Sequence, residues 1–392
     1  MNYLESLLQN SGYDFYFLVV DNSLDIIIPQ LKNFHLIYAY DSVRFDILKH
    51  HNLSYFCLES TGTKLSPANS GKLLSHPKTI EYINKTSIDR QVVIVPFKPS
   101  AKIDFLCRQN SWICASNKHQ LNRILEDKIN FLHLCQKNNL PQIPSATDYF
   151  NQDNFLKYQK KYQSLLVVQS PFGWAGKSTF SADNWTDIKN KIPIDSMVKF
   201  SPFVNGYSLL NNCCLTSKGL IQSPPALQYT GVKPFTNNPF TTIGRQWPSL
   251  APKNIQNKVK KITQDFSDIL IQVGYKGFFG LDFMVSKDKV YLLECNPRLT
   301  ASFAFYHEIE TNLDITSLFL LHLLQFLDLD YSFDLDQEQK RFSNLKIIGS
   351  EITAKSLLGK TIKKYHDFSI FSQTNEPISF SPEIIKILND QK

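Results

Sequence analysis

Apolar and polar positions alternate along the chain in two rhythms, and the switches between them divide it. Uninterrupted apolar runs at residues 14–20 (DFYFLVV), 35–40 (HLIYAY), 54–58 (SYFCL), 91–97 (QVVIVPF) and 112–115 (WICA) read as strands separated by helical patterns. Strands apolar on both faces belong to buried parallel sheets, and their alternation with helices predicts an α/β layer. Residues 117–140 read as one helix, with apolar positions at 129, 131, 132, 134 and 135, ended by Pro141 and Pro144. Further strands are expected at 165–169, 196–204, 209–215 and 219–221. Residues 251–273 form an amphipathic helix with Val259, Ile262, Phe266, Ile269, Leu270 and Val273 on one stripe. The apolar run 315–327, broken by Ser317, His322 and Gln325, is too short to span a bilayer and reads as a buried helix. Residues 330–341 (DYSFDLDQEQKR) read as a charged linker, LKIIGSEIT as a strand and PEIIKIL as a terminal helix, with no chemistry evident in that segment.

The stretch that carries chemistry is GYKGFFGLDFMVSKDKVYLLECNPRLTAS, residues 274–302. Two apolar runs flank a short polar turn, the signal of a β-hairpin. With Lys287-Asp288-Lys289 as a three-residue loop, Ser286 faces Val290 and Asp282 lies opposite Glu294. Side chains alternate along a strand, so Glu294, Asn296 and Arg298 share a face with Asp282, while Cys295 points to the core. Two carboxylates placed opposite each other repel, and a cation between them removes that cost. Hard oxygen donors of this kind suit Mg²⁺, which takes one or two carboxylates and completes its shell with phosphate oxygens.

Gly-Leu-Asp-Phe followed by an apolar strand ending in Glu-Cys-Asn-Pro-Arg resembles the metal-binding hairpin of the ATP-grasp superfamily. The resemblance implies that Asp282, Glu294 and Asn296 hold two Mg²⁺ on nucleotide phosphates, and that Arg298 holds the phosphoryl group in transfer. It covers about residues 119–328 and implies a mixed α/β and α+β fold. An N-terminal α/β, Rossmann-like domain (1–118) would precede a two-lobed ATP-grasp core. That core would comprise a small lobe (119–205) and a large lobe (206–330), followed by a C-terminal appendage (331–392).

Other segments extend the likeness. LEDKINFLHLCQKNNLPQIP is similar to the start of ATP-grasp cores, which places Lys128 on the nucleotide phosphates. In SPFGWAGKSTF, Gly173 and Gly176 permit close backbone approach to phosphates, and Lys177, Ser178 and Thr179 add donors. The P-loop spacing fails because Pro171 stands where it needs glycine; strand, Gly-rich turn and strand resemble the family's phosphate-covering loop instead. The strand before that loop ends in Lys in the family and in Gln169 here, a loss of one charge for which Lys177 is a candidate replacement. SMVKFSPFV-Asn-Gly resembles the connector between lobes, which places adenine against Lys199, Phe200 and Phe203. The family's acidic residues there are Pro202 and Ser208 in this chain. On the substrate side the likeness points to Gln228, and Arg245 in a Pro/Asn/Thr-rich loop region suits a carboxylate clamp. Thr300 and Ser302 supply hydroxyls beyond Arg298, and His307 with Glu308 follows. In the N-terminal domain no GxGxxG opens a dinucleotide site. Asp21-Asn22 and Asp41 lie where strand carboxyl ends form a crevice, with Glu59-Ser60-Thr61 and Thr86-Ser87 as weaker candidates.

Composition narrows the class further. The 392 residues are 43% hydrophobic, which excludes a disordered chain, and the net charge of +7 is dispersed without a nucleic-acid signature. Seven cysteines without CxxC spacing read as reduced thiols, and the nine histidines contain no ligand pair. The start, MNYLESLLQNSG, lacks a basic signal-peptide region, so the expected location is cytoplasmic, with no membrane and no nucleic-acid partner. The family likeness implies a carboxylate–amine ligase. It uses ATP and Mg²⁺ to make an acyl phosphate from a small carboxylate, which an amine then attacks; a homodimer is compatible. Two alternatives stand: a bicarbonate-activating carboxylase, ranked lower because no carrier domain is seen, and a nucleotide-binding regulator without ligase activity.

Overall fold

A computed structural model describes residues 3–173, 176–233 and 235–352, all within one compact unit. The PEIIKIL helix expected near the C-terminus lies outside the described residues. Five parallel strands open the chain: β1 (Tyr13–Val19), β2 (Phe34–Tyr38), β3 (Tyr55–Cys57), β4 (Gln91–Pro96) and β5 (Ile113–Cys114), ordered β3-β2-β1-β4-β5. Their apolar runs are buried on both faces, as a doubly covered parallel sheet requires. At the carboxyl ends of these strands, Asn22 donates to the Asp41 carbonyl at 2.7 Å and Ser60 to the Asp41 carboxylate at 2.6 Å.

A four-stranded antiparallel sheet follows, made of β6 (Ala146–Tyr149), β7 (Leu166–Gln169), β8 (Thr179–Ala182) and β9 (Met197–Pro202), ordered β6-β9-β7-β8. It has its own core, in which Phe150, Phe155, Val168, Val198 and Phe200 meet. The larger antiparallel sheet contains β10 (Tyr207–Thr216), β11 (Gly219–Gln222), β12 (Ala226–Thr230), β13 (Thr242–Trp247), β14 (Gly277–Ser286), β15 (Lys289–Asn296) and β16 (Gly349–Ile352). Its order is β15-β14-β10-β12-β13-β16, with β11 beside β10. The Lys253–Gln272 helix lays its apolar stripe, Val259, Ile262, Phe266, Ile269 and Leu270, on one face of this sheet. The other face is covered by the Phe303–Asn312 and Leu318–Leu324 helices, whose Phe303 and Phe319 also pack on Phe17 of β1.

Three expectations need correction. Residues 117–140 are two helices, His119–Glu126 and Lys128–Lys137, because extended Asp127 caps the second with its carboxylate on the amides of Ile129 and Asn130. The hairpin turn is two residues, Lys287-Asp288, since Ser286 pairs with Lys289 and Lys287 takes the left-handed φ of +53°. A bulge at Leu293 restores the expected far end: Phe283 faces Leu292, yet Asp282 faces Glu294. The charged segment 330–341 is not a free linker. It contains the Leu335–Gln339 helix, and Arg341 is buried between Glu310 (2.6 Å) and Glu338. Burial makes such charges affordable only when paired, and a linear sequence does not show the pairing.

Candidate functional site: a carboxylate pair among buried cations

The Leu293 bulge decides which way the acids point. Val290 and Leu292 face the core under the Lys253–Gln272 helix, and unbroken alternation would send Glu294 after them. The extra residue flips the parity, so Cys295 enters the core while Glu294 and Asn296 face the site beside Asp282. Asn296 donates its amide to Asp282 Oδ2 at 2.9 Å, and Gln228 donates to Asp282 Oδ1 at 2.7 Å. Burial, then the Glu294 charge, push the Asp282 carboxyl well above the usual carboxylate range. Burial also disfavours the Glu294 charge, but the Lys128 ammonium 2.9 Å away outweighs it and holds this carboxyl low.

Lys128 reaches Glu294 because Asp127 breaks the preceding helix and starts the next one there. The residue is 6% exposed, its amide donates to the Pro171 carbonyl at 2.9 Å, and its ammonium donates to the Gly173 carbonyl at 3.4 Å. Lys199 stands on β9 directly across the ladder from Gln169 of β7. It is 5% exposed, and among the described residues its ammonium has no hydrogen-bond partner. Burial and the nearby Lys128 charge bring its pKa down to about 8. The cation missing at position 169 is thus present one strand over, and Gln169 instead donates to the Thr179 hydroxyl at 3.1 Å. Lys177 is exposed.

Arg298 is fixed from four sides. It donates to Asn296 Oδ1 (3.1 Å) and to the Leu299 carbonyl (2.9 Å), pairs with Glu126 (3.4 Å) and lies over the Phe97 ring at 5.0 Å. Glu126 also holds Lys98, at 2.5 Å. Phe97 and Lys98 follow β4, so the N-terminal sheet delivers its carboxyl edge to the guanidinium. Sequence reasoning missed Phe97, Lys98 and Glu126. Only the adjacency of Glu126 to the Asp127 cap signalled the last.

The Gly-rich loop meets the large lobe. Gly176 has a φ of +73°, a Cβ there would lie 2.7 Å from the Phe240 carbonyl, and its own carbonyl accepts from Asn238 at 3.2 Å. Ser170 N donates to the Ser178 carbonyl at 3.0 Å, which closes the base of the loop.

Several expected residues point elsewhere. Phe200 alternates with Lys199 and lies in the small-lobe core, its ring 4.7 Å from that of Tyr158, while Phe203 is exposed after β9. Thr300 and Ser302 are buried in a knot with Asn212, at 2.9 and 3.1 Å. His307 is buried beside Ser317 at 2.7 Å, and burial lowers its pKa to about 4. Arg245, by contrast, stays near the site: it lies on β13, not in a loop, opposite Gln228, its charge acts on Asp282, and it is paired with Glu351 at 2.7 Å.

Two carboxylates and an amide cannot enclose a divalent ion, and the described residues hold no cluster of three or more His, Cys, Asp or Glu suited to a metal. Such a half-shell fits Mg²⁺ carried in on phosphate oxygens. Two buried cations beside the carboxylates fit the phosphates themselves. Residues 125–302 match the family model described as an ATP-grasp domain. This segment of the chain is an ATP-grasp domain.

Solved structures agree on the fold. N5-carboxyaminoimidazole synthetase from Staphylococcus aureus, complexed with ADP, superposes with a TM-score of 0.55 at 12% identity, covering 80% of this chain and 77% of that one. A biotin carboxylase–β-γ-ATP complex from Campylobacter jejuni gives 0.58 at 14%, over 86% and 74%. The biotin carboxylase domain dimer of Hydrogenobacter thermophilus 2-oxoglutarate carboxylase, with MgADP, ADP and bicarbonate, gives 0.59 at 9%, over 82% and 71%. Among the described residues no helix is long and apolar enough to cross a membrane.

Proposed function

We propose that this protein is an ATP-dependent carboxylate–amine ligase that forms an amide through an acyl phosphate, with release of ADP and phosphate. The observation that carries the reading is the buried Lys199 ammonium, which has no hydrogen-bond partner among the described residues and stands near Lys128 and Glu294. Burying a cation without a counterion is costly, and a polyphosphate supplies the missing charge.

In this reading Lys128 and Lys199 bind nucleotide phosphates, and the Gly173–Thr179 loop closes over them against Asn238 and Phe240. Asp282, Glu294 and Asn296 would hold two Mg²⁺, which would neutralise charge on the transferring phosphoryl group. Arg298, pre-set by Glu126, Asn296 and Phe97, stabilises the same charge from the opposite side without reorganising. The chain supplies no covalent group to the step: the substrate carboxylate oxygen attacks the γ-phosphorus and ADP leaves. The amine then attacks the acyl carbon, loses a proton and displaces phosphate. Closure excludes water that would hydrolyse the acyl phosphate. Gln228 and Arg245 line the side where the carboxylate and amine enter. The proposal extends to a cytoplasmic enzyme with small-molecule substrates, as a monomer or homodimer.

A second reading has a specific observation behind it. Similar folds include carboxylases, one with bicarbonate bound, so bicarbonate is an alternative acid. Phosphate release from MgATP, measured against a panel of carboxylic acids, amines and bicarbonate with Glu294→Ala as control, decides between them. Release that needs an acid and an amine, and is lost in the variant, supports the ligase. Release with bicarbonate alone supports the carboxylase. Nucleotide binding without turnover across the panel points to a regulatory protein.

A further inference from the structure

A polar row with residues on four strands runs across the large sheet, passing over β10. It starts at Asp282 on β14, which accepts from Gln228 on β12 at 2.7 Å. Gln228 is registered opposite Arg245 on β13, and Arg245 opposite Glu351 on β16. The row ends in the Arg245–Glu351 ion pair at 2.7 Å, with side chains only 13% and 19% exposed. Within the described residues β16 pairs with β13 alone, so it is an edge strand, and it is four residues long.

This strand is built to sit where it does. A Cβ on Gly244 would lie 2.6 Å from the Glu351 carbonyl, and one on Gly349 would lie 2.6 Å from Ile309 Cδ1. Gly244 gives β16 room beside β13, and Gly349 gives it room against Ile309 and Phe305 of the covering helix. Yet the pairing is incomplete. Glu351 engages Arg245 through Nη1 only, and the buried Nε of Arg245 has no hydrogen-bond partner. A guanidinium binds a carboxylate best through two parallel N–H donors, and a buried donor left unpaired is costly. A free carboxylate able to approach the Nε edge would bind better than the tethered one does.

We propose that Glu351 is an internal stand-in: Arg245 is a carboxylate-binding position, occupied at rest by Glu351, and a carboxylate-bearing ligand takes it by displacing β16. The inference rests on the ligase reading only in placing Arg245 on the substrate side of the site. The C-terminal strand would then set a threshold for substrate entry, because every ligand carboxylate competes with one already in place.

The test needs no knowledge of the substrate. Hydrogen exchange of the Gly349–Ile352 amides is followed in the full chain, with sodium acetate as the probe carboxylate and sodium chloride at equal ionic strength as the control. Acetate is expected to speed exchange of these amides in a saturable way, by roughly tenfold, while chloride does not. Arg245→Gln should abolish the difference between the salts. Should that variant fail to fold, Glu351→Gln serves: its strand should exchange fast without acetate and show no further response. Equal effects of the two salts on the wild type, or an acetate response that survives Arg245→Gln, would overturn the proposal. Because the readout is strand release and not turnover, an enzyme inactive across the acid and amine panel would leave this result standing, and the reverse also holds.

Discussion

Lys199 should weaken the empty protein and strengthen the loaded one. Its ammonium is 5% exposed, and its pKa is brought to about 8 from the model-compound 10.5 by burial and by Lys128. The unfolded chain therefore binds more protons than the folded chain between those values. Stability must rise as pH rises through that window, and the full penalty applies below about pH 8. The difference corresponds to about 3 kcal/mol at neutral pH, with the part that Glu294 recovers already counted. Lys199→Met keeps the apolar stem and deletes the charge. The variant should be more stable at pH 7 by about 1–3 kcal/mol, and its stability should lose the rise above pH 8. Nucleotide affinity should move the other way, down by roughly 10- to 100-fold, the worth of one buried charge-assisted contact. Urea unfolding at several pH values gives the first quantity, and calorimetric titration of MgADP gives the second. Titration near pH 8.5 in two buffers of different ionisation enthalpy should also show proton uptake by the wild type that the variant lacks. A variant that is less stable and binds MgADP as well as the wild type would refute the reasoning, because Lys199 would then be structurally paired and remote from the phosphates.

Four further outcomes follow from the same geometry. Deleting Leu293 removes the bulge but sets Glu294 directly after core-facing Leu292, where plain alternation still turns it to the site, so calorimetry should show MgADP binding retained. Gly176→Ala meets both a positive φ and the Phe240 carbonyl, and should raise the KM for ATP on the order of tenfold while the melting temperature barely moves. Glu126→Gln loosens Arg298 without touching the metal ligands, so kcat should fall on the order of 10²-fold with MgADP affinity unchanged by calorimetry. Chelating divalent ions should weaken ADP binding in the wild type far more than in Asp282→Asn, since that variant has already lost half of its charged metal-binding pair.

How far the sequence reached can be judged element by element. The parallel sheet was legible because apolar runs such as QVVIVP have few other uses. The Asp282–Glu294 pairing was reached through a turn one residue too long, and the Leu293 bulge, which alternation cannot show, compensated for it. Lys199 could be singled out from the sequence, but not its place across the ladder from Gln169, because that depends on the β7–β9 register. Glu126, Phe97 and Lys98 converge on Arg298 from two segments distant in sequence from it, and no local pattern marks such a meeting. The segment around Arg341 read as solvated because a buried charge network and a surface one use the same letters.

The division of the interior has a consequence for how this protein changes over generations. Phe17 and Phe34 of the first sheet share one core with Phe303 and Phe319, so substitutions on either side must be accommodated together. The four-stranded sheet closes on its own aromatic cluster of Phe150, Phe155, Tyr158 and Phe200. Drift in that cluster is answered locally, and the segment from Ala146 to Pro202 is the part of the chain best suited to exchange with a homologous lobe. Chimaeras joined within Pro144–Ser145 and at Asn205 would exchange this sheet with its core intact and leave the packing between the first sheet and the Phe303–Asn312 helix undisturbed.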